Sequence, residues 1–365
     1  MQALTLDFTT RSTQSILQPK LLECVLRSSS VPTLQDVATE AKVSTATVSR
    51  ALNNPESVVQ QTRERVLDAV ARLGYSPNFG ARALAARRTN TIGAVIPTME
   101  NAIFARGLQS FQETLSTGGS TLLVASSSYR SDLEEEQVRA LVARGADGLL
   151  LIGKQRHSSV YEFLNTRSIP YVVAWTFQHD SDHTYVGFDN HAAAGAMLQR
   201  VLSYGHRAIG MIAGLTTDND RARDRLSGVR DVINRHSHED VSLTVVEAAY
   251  SYEEGGKAAE LLLSHSAGVR PTVLVCGNDI LAVGAIMQAR KMGFRVPRDV
   301  SVTGFDDIEV ATVIDPPLTT VHVPHRDMGG LAAQSLLQML RGGKPSVSHE
   351  LTPTIVERES LTQAS

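Results

Sequence analysis

Cysteine is nearly absent from this chain: Cys24 and Cys276 are the only two in 365 residues. Two thiols cannot build a disulfide framework or a cysteine-based zinc site, so both read as ordinary reduced thiols. Long hydrophobic runs are missing too, none approaching the roughly eighteen apolar residues that cross a bilayer. The N-terminal LDFTTRSTQSILQPKLLECVL has neither the unbroken apolar core nor the small-residue cleavage site of a secretory signal, so the expected location is the cytoplasm. G-x-S-x-G, H-E-x-x-H, G-x-x-x-x-G-K-[ST] and a post-strand G-x-G-x-x-G are all lacking, and no catalytic constellation emerges. The expectation is a protein that is not an enzyme and holds no cofactor or metal. His236, His238, Glu239 and Asp240 cluster in sequence, but a polar run between a helix and a strand reads as a solvated loop.

What is present describes a soluble globular protein of two or three domains, with 42% hydrophobic and 20% charged residues. The net charge of -3 is unevenly spread. Between Val31 and Arg88 eight Lys/Arg face five Asp/Glu, whereas the residues after Arg88 are net acidic. A mildly basic head on an acidic body suits contact with a phosphate backbone by the head alone.

The stretch Thr33 to Pro55, TLQDVATEAKVSTATVSRALNNP, reads as two short helices joined by a tight turn. Thr33 and Asp36 form a carboxylate variant of the capping box, with Val37 and Ala41 as a small apolar face, and Ser44 is placed to cap the second helix. At 3.6 residues per turn, Val48, Ala51 and Leu52 of the second helix fall on one side, while Ala46, Ser49, Arg50 and Asn53 fall on the other, with Thr45 at its start. A presented helix with a central arginine suits the major groove, because guanidinium can donate two hydrogen bonds to guanine O6 and N7. The same residues also permit a helical hairpin used only for packing. TRERVLDAVARLGY then resumes a helical pattern through Val66, Ala69, Val70 and Leu73, which Gly74 ends as a left-handed cap.

The ordered run VSTATVSRALNNP, TRERVLDAVARLGYSPN and ARAL resembles the DNA-binding head of the lactose and galactose repressor family of bacterial transcription regulators. The family usually shows Ser where this chain has Val59, so the third helix is expected to lack that cap. The segment FGARALAARR after Pro77 and Asn78 reads chemically as a short linker helix. The resemblance implies a hinge helix that folds in the minor groove, with Leu84 wedged between base pairs. Residues 1–30 lie upstream of the resemblance and read as a disordered extension, or as a sign that translation starts elsewhere.

From Thr91 the texture changes to short apolar strands alternating with helices: TIGAVIP, STLLVAS, DGLLLIG and PYVVAW, then RAIGMIAG, LTVVEAAY, TVLVCGND and DVSVTGFDD. Alternation of this kind means parallel sheets covered by helices on both faces. The expected fold is therefore α/β with a small all-α head: residues 31–76 a helix-turn-helix domain, 77–90 hinge and linker, and 91–365 a two-lobed, doubly wound domain. That last part resembles the sugar-binding fold shared by these repressors and the periplasmic solute receptors. The resemblance implies three crossings between lobes, near Phe188, Pro317 and Lys344, and a dimer formed through the lobes.

Ligands of doubly wound sheets sit beyond the carboxyl ends of the strands. PTMENAIFARG resembles the family's N-P-F-F loop, with Ala102 in place of Pro and Ile103 in place of an aromatic, and implies Asn101 and Phe104 as contacts. Trp175, the only tryptophan, ends PYVVAW and reads either as packing or as a ligand platform. RARDRLSG, CGNDILAVGA and VTGFDDIE resemble family signatures, implying effector contacts from Arg225, Asn278 and Asp306, with Tyr250 as a cleft aromatic. Asp279 and Asp307 read as helix caps, and Asp189 as another. For Arg225 and Asp306 a surface ion pair is the plainer alternative. Charged forks opposed by aromatic faces suit a sugar or a sugar acid such as gluconate. The resulting expectation is a homodimeric repressor of palindromic operator DNA, switched by a small effector. A family member answering to a purine, a nucleoside or a co-regulator protein is the alternative, and a solute-binding transport receptor is the rival from another class.

Overall fold

The computed structural model describes residues 31–76, 88–100, 102–236, 240–264, 270–342 and 347–364. The chain divides after Ala85 into two compact units, each described here by itself. In the head, α1 (Leu34–Ala41), α2 (Thr45–Asn53), a 3-10 turn (Pro55–Ser57) and α3 (Gln60–Leu73) follow one another. Local chemistry sets their ends. The Thr33 hydroxyl accepts the Asp36 N–H while the Asp36 carboxylate accepts the Thr33 N–H at 2.8 Å, a reciprocal capping box. Ser44 accepts the Thr47 N–H at 3.2 Å, and Gly74 closes α3 at φ 63°. Val59 precedes α3 without any side-chain cap. The core is small: Val37, Ala41, Val48, Ala51, Val66 and Ala69 are buried, with Val70 and Leu73 packed at its edge.

The second unit opens with β1 (Thr91–Ile96), α4 (Ala102–Thr117), β2 (Thr121–Ser126), α5 (Ser131–Ala143), β3 (Gly148–Ile152), α6 (Ser158–Thr166), β4 (Tyr171–Ala174) and β5 (Tyr185–Gly187). It continues with α7 (Asn190–Ser203), β6 (Ala208–Gly214), α8 (Asp220–Arg235), β7 (Ser242–Ala248), α9 (Tyr252–Ser264), β8 (Val273–Cys276), α10 (Asp279–Lys291) and β9 (Ser301–Thr303). It ends with the single turn α11 (Val310–Val313), β10 (Thr320–His322), α12 (His325–Leu340), β11 (His349–Glu350) and β12 (Thr354–Val356). One parallel sheet has the order β11-β5-β4-β3-β1-β2 and the other β7-β6-β8-β9. Central strands β1, β3 and β6 are buried along their whole length, which is why they read as unbroken apolar runs. The edge strands β2 and β7 are partly exposed. Asp189 caps α7 by accepting the Ala192 N–H at 3.0 Å, and Gly205 turns the chain after it at φ 84°.

Three connections link the lobes. The first passes Phe188, as expected, between β5 and α7. The second lies later than Pro317: β10 pairs antiparallel with β12, and the bridges Thr303 to Thr319 and Asp306 to His322 keep this stretch with the second lobe, so the crossing falls at Val323–Pro324. The third also moves. Lys344 lies outside the described residues, but α12 before it packs on α4 and β11 after it pairs with β5, so the chain leaves the first lobe only between β11 and β12. Short β10 to β12 carry too few residues for periodicity to reveal them. Among the described residues, no helix is long and apolar enough to cross a membrane.

Candidate functional sites: an exposed helix face and an interlobe cleft

On α2, Ala46, Arg50 and Asn53 are exposed, with Thr45 and Ser49 half-buried at the margin. Val48 and Ala51 point the opposite way into the head's core. The Asn53 amide donates to Ser49 Oγ at 3.3 Å, and Arg50 Nε–H donates to the Ala46 carbonyl at 3.3 Å. The face is thus polar, shallow in relief and carries one cation, a shape that can approach base edges. Leu84, the expected minor-groove wedge, lies outside the described residues.

In the second unit, Phe104, Trp175, Arg225, Tyr250, Asn278 and Asp306 line one cavity between the lobes. Asn101, the seventh residue expected there, lies outside the described residues. Arg225, on the second turn of α8, is 5% exposed and Asp306 is 2% exposed, so the pair is no surface ion bridge. Arg225 Nε–H donates to Asn190 Oδ1 at 2.9 Å and Nη1 to the Gly277 carbonyl at 2.7 Å, while the guanidinium lies 3.7 Å above the Phe305 ring. Its Nη2 stands 3.5 Å from Asp306 Oδ1. Asp306 sits at φ 106°, and its Oδ2 is buried without a hydrogen-bond partner. Burial pushes the Asp306 carboxyl up to about 6, against the pull of Arg225 and Arg221.

The first lobe supplies the apolar wall. Trp175 is 1% exposed and held at φ 62°. Its indole ring needs Gly107 opposite, because a Cβ there would stand 2.4 Å from it. Phe104 packs at 5.7 Å between ring centroids. The indole N–H donates to His325 Nδ1 at 3.2 Å, which places the imidazole proton on Nε2, itself 4.0 Å from Asp306 Oδ1. Burial keeps His325 neutral, with its pKa lowered to about 3.

Asn278 lines the cavity as expected, but the capping role expected of Asp279 also falls to it. Asn278 caps α10, its Oδ1 accepting the Leu281 N–H at 2.9 Å, so only its amide N–H groups remain to donate elsewhere. Asp279 is no cap: it accepts the Thr320 hydroxyl at 2.5 Å and the Ile308 N–H at 2.8 Å, and burial pushes its carboxyl to about 8. Asp307 likewise caps nothing, accepting instead from Arg358 at 2.6 Å and pairing with His322 at 2.9 Å. An Asn-Asp pair before a helix lets either side chain cap, and here Asn278 does so while Asp279 braces the following loop through Ile308 and Thr320.

Sequence reasoning missed Tyr129, Asn219, Arg221 and His325. Asn219 carried a signal, an Asn three residues before Ala222, whose N–H it caps at 3.4 Å. Tyr129 and His325 carried none, since Tyr129 meets the cavity, and His325 the Trp175 that lines it, only through long-range folding. Across the cleft, the Lys154 N–H donates to Asp220 Oδ2 at 2.6 Å, Lys154 Nζ pairs with Asp224 at 2.9 Å, and Ser131 bonds Asp218 at 2.9 Å. Gly153, at φ 79°, is required at this seam: a Cβ would stand 1.9 Å from Arg221 Nη1. Of the polar loop after α8, His236 Nδ1 bonds the Val232 carbonyl at 2.9 Å, and His238 and Glu239 lie outside the described residues. Cys276 is a buried free thiol, while Cys24 lies outside the described residues.

Comparison with known proteins agrees with this geometry. Residues 33–78 match the family of bacterial regulatory proteins, lacI family, and residues 198–361 match a periplasmic binding protein-like domain. The ribose operon repressor of Haemophilus influenzae is 33% identical over 90% of this chain and 98% of its own. The HTH-type transcriptional repressor PurR of Klebsiella pneumoniae is 34% identical over 90% of this chain and 96% of its own. Among solved structures, a lac repressor dimer bound to operator and the anti-inducer ONPF superposes with a TM-score of 0.81 at 25% identity, covering 91% of this chain and 100% of that one. A transcriptional regulator of the same family from Silicibacter pomeroyi reaches the same TM-score at 26% identity over 91% of this chain and 99% of its own. A helix-turn-helix head with an exposed arginine face and a two-lobed, doubly wound body with a polar-aromatic cleft thus occur in one chain that aligns with nearly the whole of these relatives, and the chain belongs to the lacI family of bacterial regulatory proteins, DNA-binding regulators of transcription.

Proposed function

We propose that the protein is a homodimeric cytoplasmic repressor, without catalytic activity, whose affinity for a palindromic operator is set by a small hydroxylated metabolite in the interlobe cleft. The observation that carries this reading is the convergence of Phe104, Trp175, Arg225, Tyr250, Asn278 and Asp306 on one cavity in the same chain as the exposed Arg50 face. Aromatic faces opposite hydrogen-bonding charges suit the C–H and O–H sides of a sugar ring. Both guanidiniums are already paired, Arg225 with Asp306 and Arg221 with Asp220, which favours a neutral polyol over a sugar acid such as gluconate. Exposed Met287 on α10 and Val313 on the neighbouring α11 offer apolar surface for a second copy. The aromatic walls and the 34% identity to a PurR protein favour a purine or nucleoside as the second reading.

The test begins with selection of bound fragments from genomic DNA, followed by affinity for the selected site against random duplex at fixed salt. Arg50→Ala is expected to cost about 1–3 kcal/mol of that discrimination while retaining nonspecific binding. Unchanged discrimination would remove Arg50 from the reading surface. Thermal shift with sugars, sugar acids and purines then identifies the effector, since a ligand of the native state raises its melting temperature.

A further inference from the structure

Beside the cavity described above lies a second, similarly narrow one. Their linings share two residues, Tyr129 and Arg221. The inner cavity carries the aromatic walls and Asp306, and the outer one is lined chiefly by polar groups, among them Arg130, Ser131, Gln155 and Asp218. Arg221 is fixed in place by its pair with Asp220 at 2.9 Å and by its tight fit against Gly153. Tyr129 comes from the other lobe, on the loop after β2, and its ring meets that of Tyr250 at 5.9 Å and 50° across the cleft. Two successive non-glycine residues, Ser128 at φ 51° and Tyr129 at φ 57°, hold that ring in position. Such a backbone is seldom adopted by bulky side chains and persists where the surroundings dictate it.

Resting on the effector reading of the cleft, we infer that Tyr129 is a specificity-determining wall that limits the ligand to a single hydroxylated ring and shuts off from it a polar second space, which a further sugar unit enters only when that wall is gone. Arg221 forms the rest of the partition but is pinned by its partners, so the phenol ring is the part whose removal joins the two spaces. The outer groups then meet the second unit of a disaccharide with donors and acceptors of both kinds.

Trp175 is the chain's only tryptophan and lines the inner cavity, so its fluorescence reports occupancy of that cavity. Full-chain protein is titrated with D-ribose, D-glucose and D-galactose and with the disaccharides cellobiose and lactose, followed by Trp175 emission and calorimetry. The wild type is expected to bind at least one monosaccharide and to reject the disaccharides by tenfold or more. Tyr129→Ala is expected to weaken the monosaccharide and to raise disaccharide affinity at least tenfold, and Tyr129→Phe, which rebuilds the wall, to restore the rejection. Tyr129→Asn suits the left-handed backbone and serves if the alanine variant fails to fold. The wall is disproved if the wild type binds a disaccharide within tenfold of its monosaccharide, or if the folded small variants keep monosaccharide binding without gaining disaccharides. Silence of the wild type toward every sugar overturns the sugar reading itself and this inference with it.

Discussion

The head and the cleft place their arginines in opposite circumstances. Arg50 is exposed on α2 and donates to the Ala46 carbonyl, whereas Arg225 is 5% exposed and bound to Asn190, Gly277, Asp306 and the face of Phe305. An exposed cation keeps its hydration until DNA arrives, so it costs the fold little and is free to choose among bases. A buried one must be neutralised and hydrogen-bonded within the fold, so its ligand competes with partners already present. On the proposed function, reading DNA through Arg50 asks little of head stability, while effector recognition through Arg225 is built into the stability of the second unit.

The sharpest way to break this comparison is Arg225→Ala. The substitution leaves Asp306 without its countercharge, and Asn190 Oδ1 and the Gly277 carbonyl without a donor. It is expected to destabilise the second unit by about 3–5 kcal/mol, as removal of one partner of a buried pair does, and to abolish effector response. Exposed Arg50→Ala is expected to stay within about 0.5 kcal/mol of wild type in the same urea titration. Comparable costs for the two substitutions would mean that burial is not what separates the sites.

A subtler difference is set by pH. Asp306 rises to about 6 in the fold from an ordinary 3.8, so between those values the folded state holds a proton that the unfolded chain has lost. Its contribution to stability is complete below about 3.8 and lost as pH rises through about 6, on the order of 3 kcal/mol in all. His325, lowered to about 3, and Asp279, raised to about 8, are both neutral across most of that window. The stability of wild type relative to Asp306→Asn should therefore fall from pH 4 to pH 6.5. Affinity for a hydroxylated effector should rise over the same interval, because only the carboxylate accepts two hydroxyl protons. A parallel pair of stability profiles would place the proton elsewhere.

What could be read from the sequence follows the same division. Thr33, Ser44 and Gly74 act on neighbours within five residues, and each ends its helix as its chemistry requires. The long apolar strands and their alternation with helices were equally local. The cleft was legible only through family signatures, because Phe104 and Asp306 come together over some two hundred residues and no period links them. Signatures located six residues of the cavity but could not say which of Asn278 and Asp279 would turn to the helix, since that depends on Thr320 and Ile308. They also left out Tyr129 and His325, whose places depend on how the two lobes meet. The short α6, β5 and β10 to β12 fell below the length at which periodicity speaks, and two of the three crossings shifted with them.

The smallest expected effect concerns the head alone. Of the three α-helices among its described residues, α1 and α2 begin at Thr33 and Ser44 with side-chain caps, and α3 begins at Val59 with none. Val59 is 76% exposed, so truncating it removes little packing. Its backbone, at φ -54° and ψ 137°, already has the extended ψ of a capping residue, and serine there would bring a side-chain acceptor to the N–H groups of the first turn. Val59→Ser is expected to stabilise the head by about 1 kcal/mol and to raise its melting temperature by roughly 4–8 °C, read by circular dichroism. Discrimination between operator and random duplex should not change, because the Arg50 face is untouched. If the melting temperature falls instead, Val59 makes a contact worth more than a cap. If discrimination shifts along with stability, then head order and base reading are coupled, and the exposed site shares with the buried one the dependence on fold that now sets them apart.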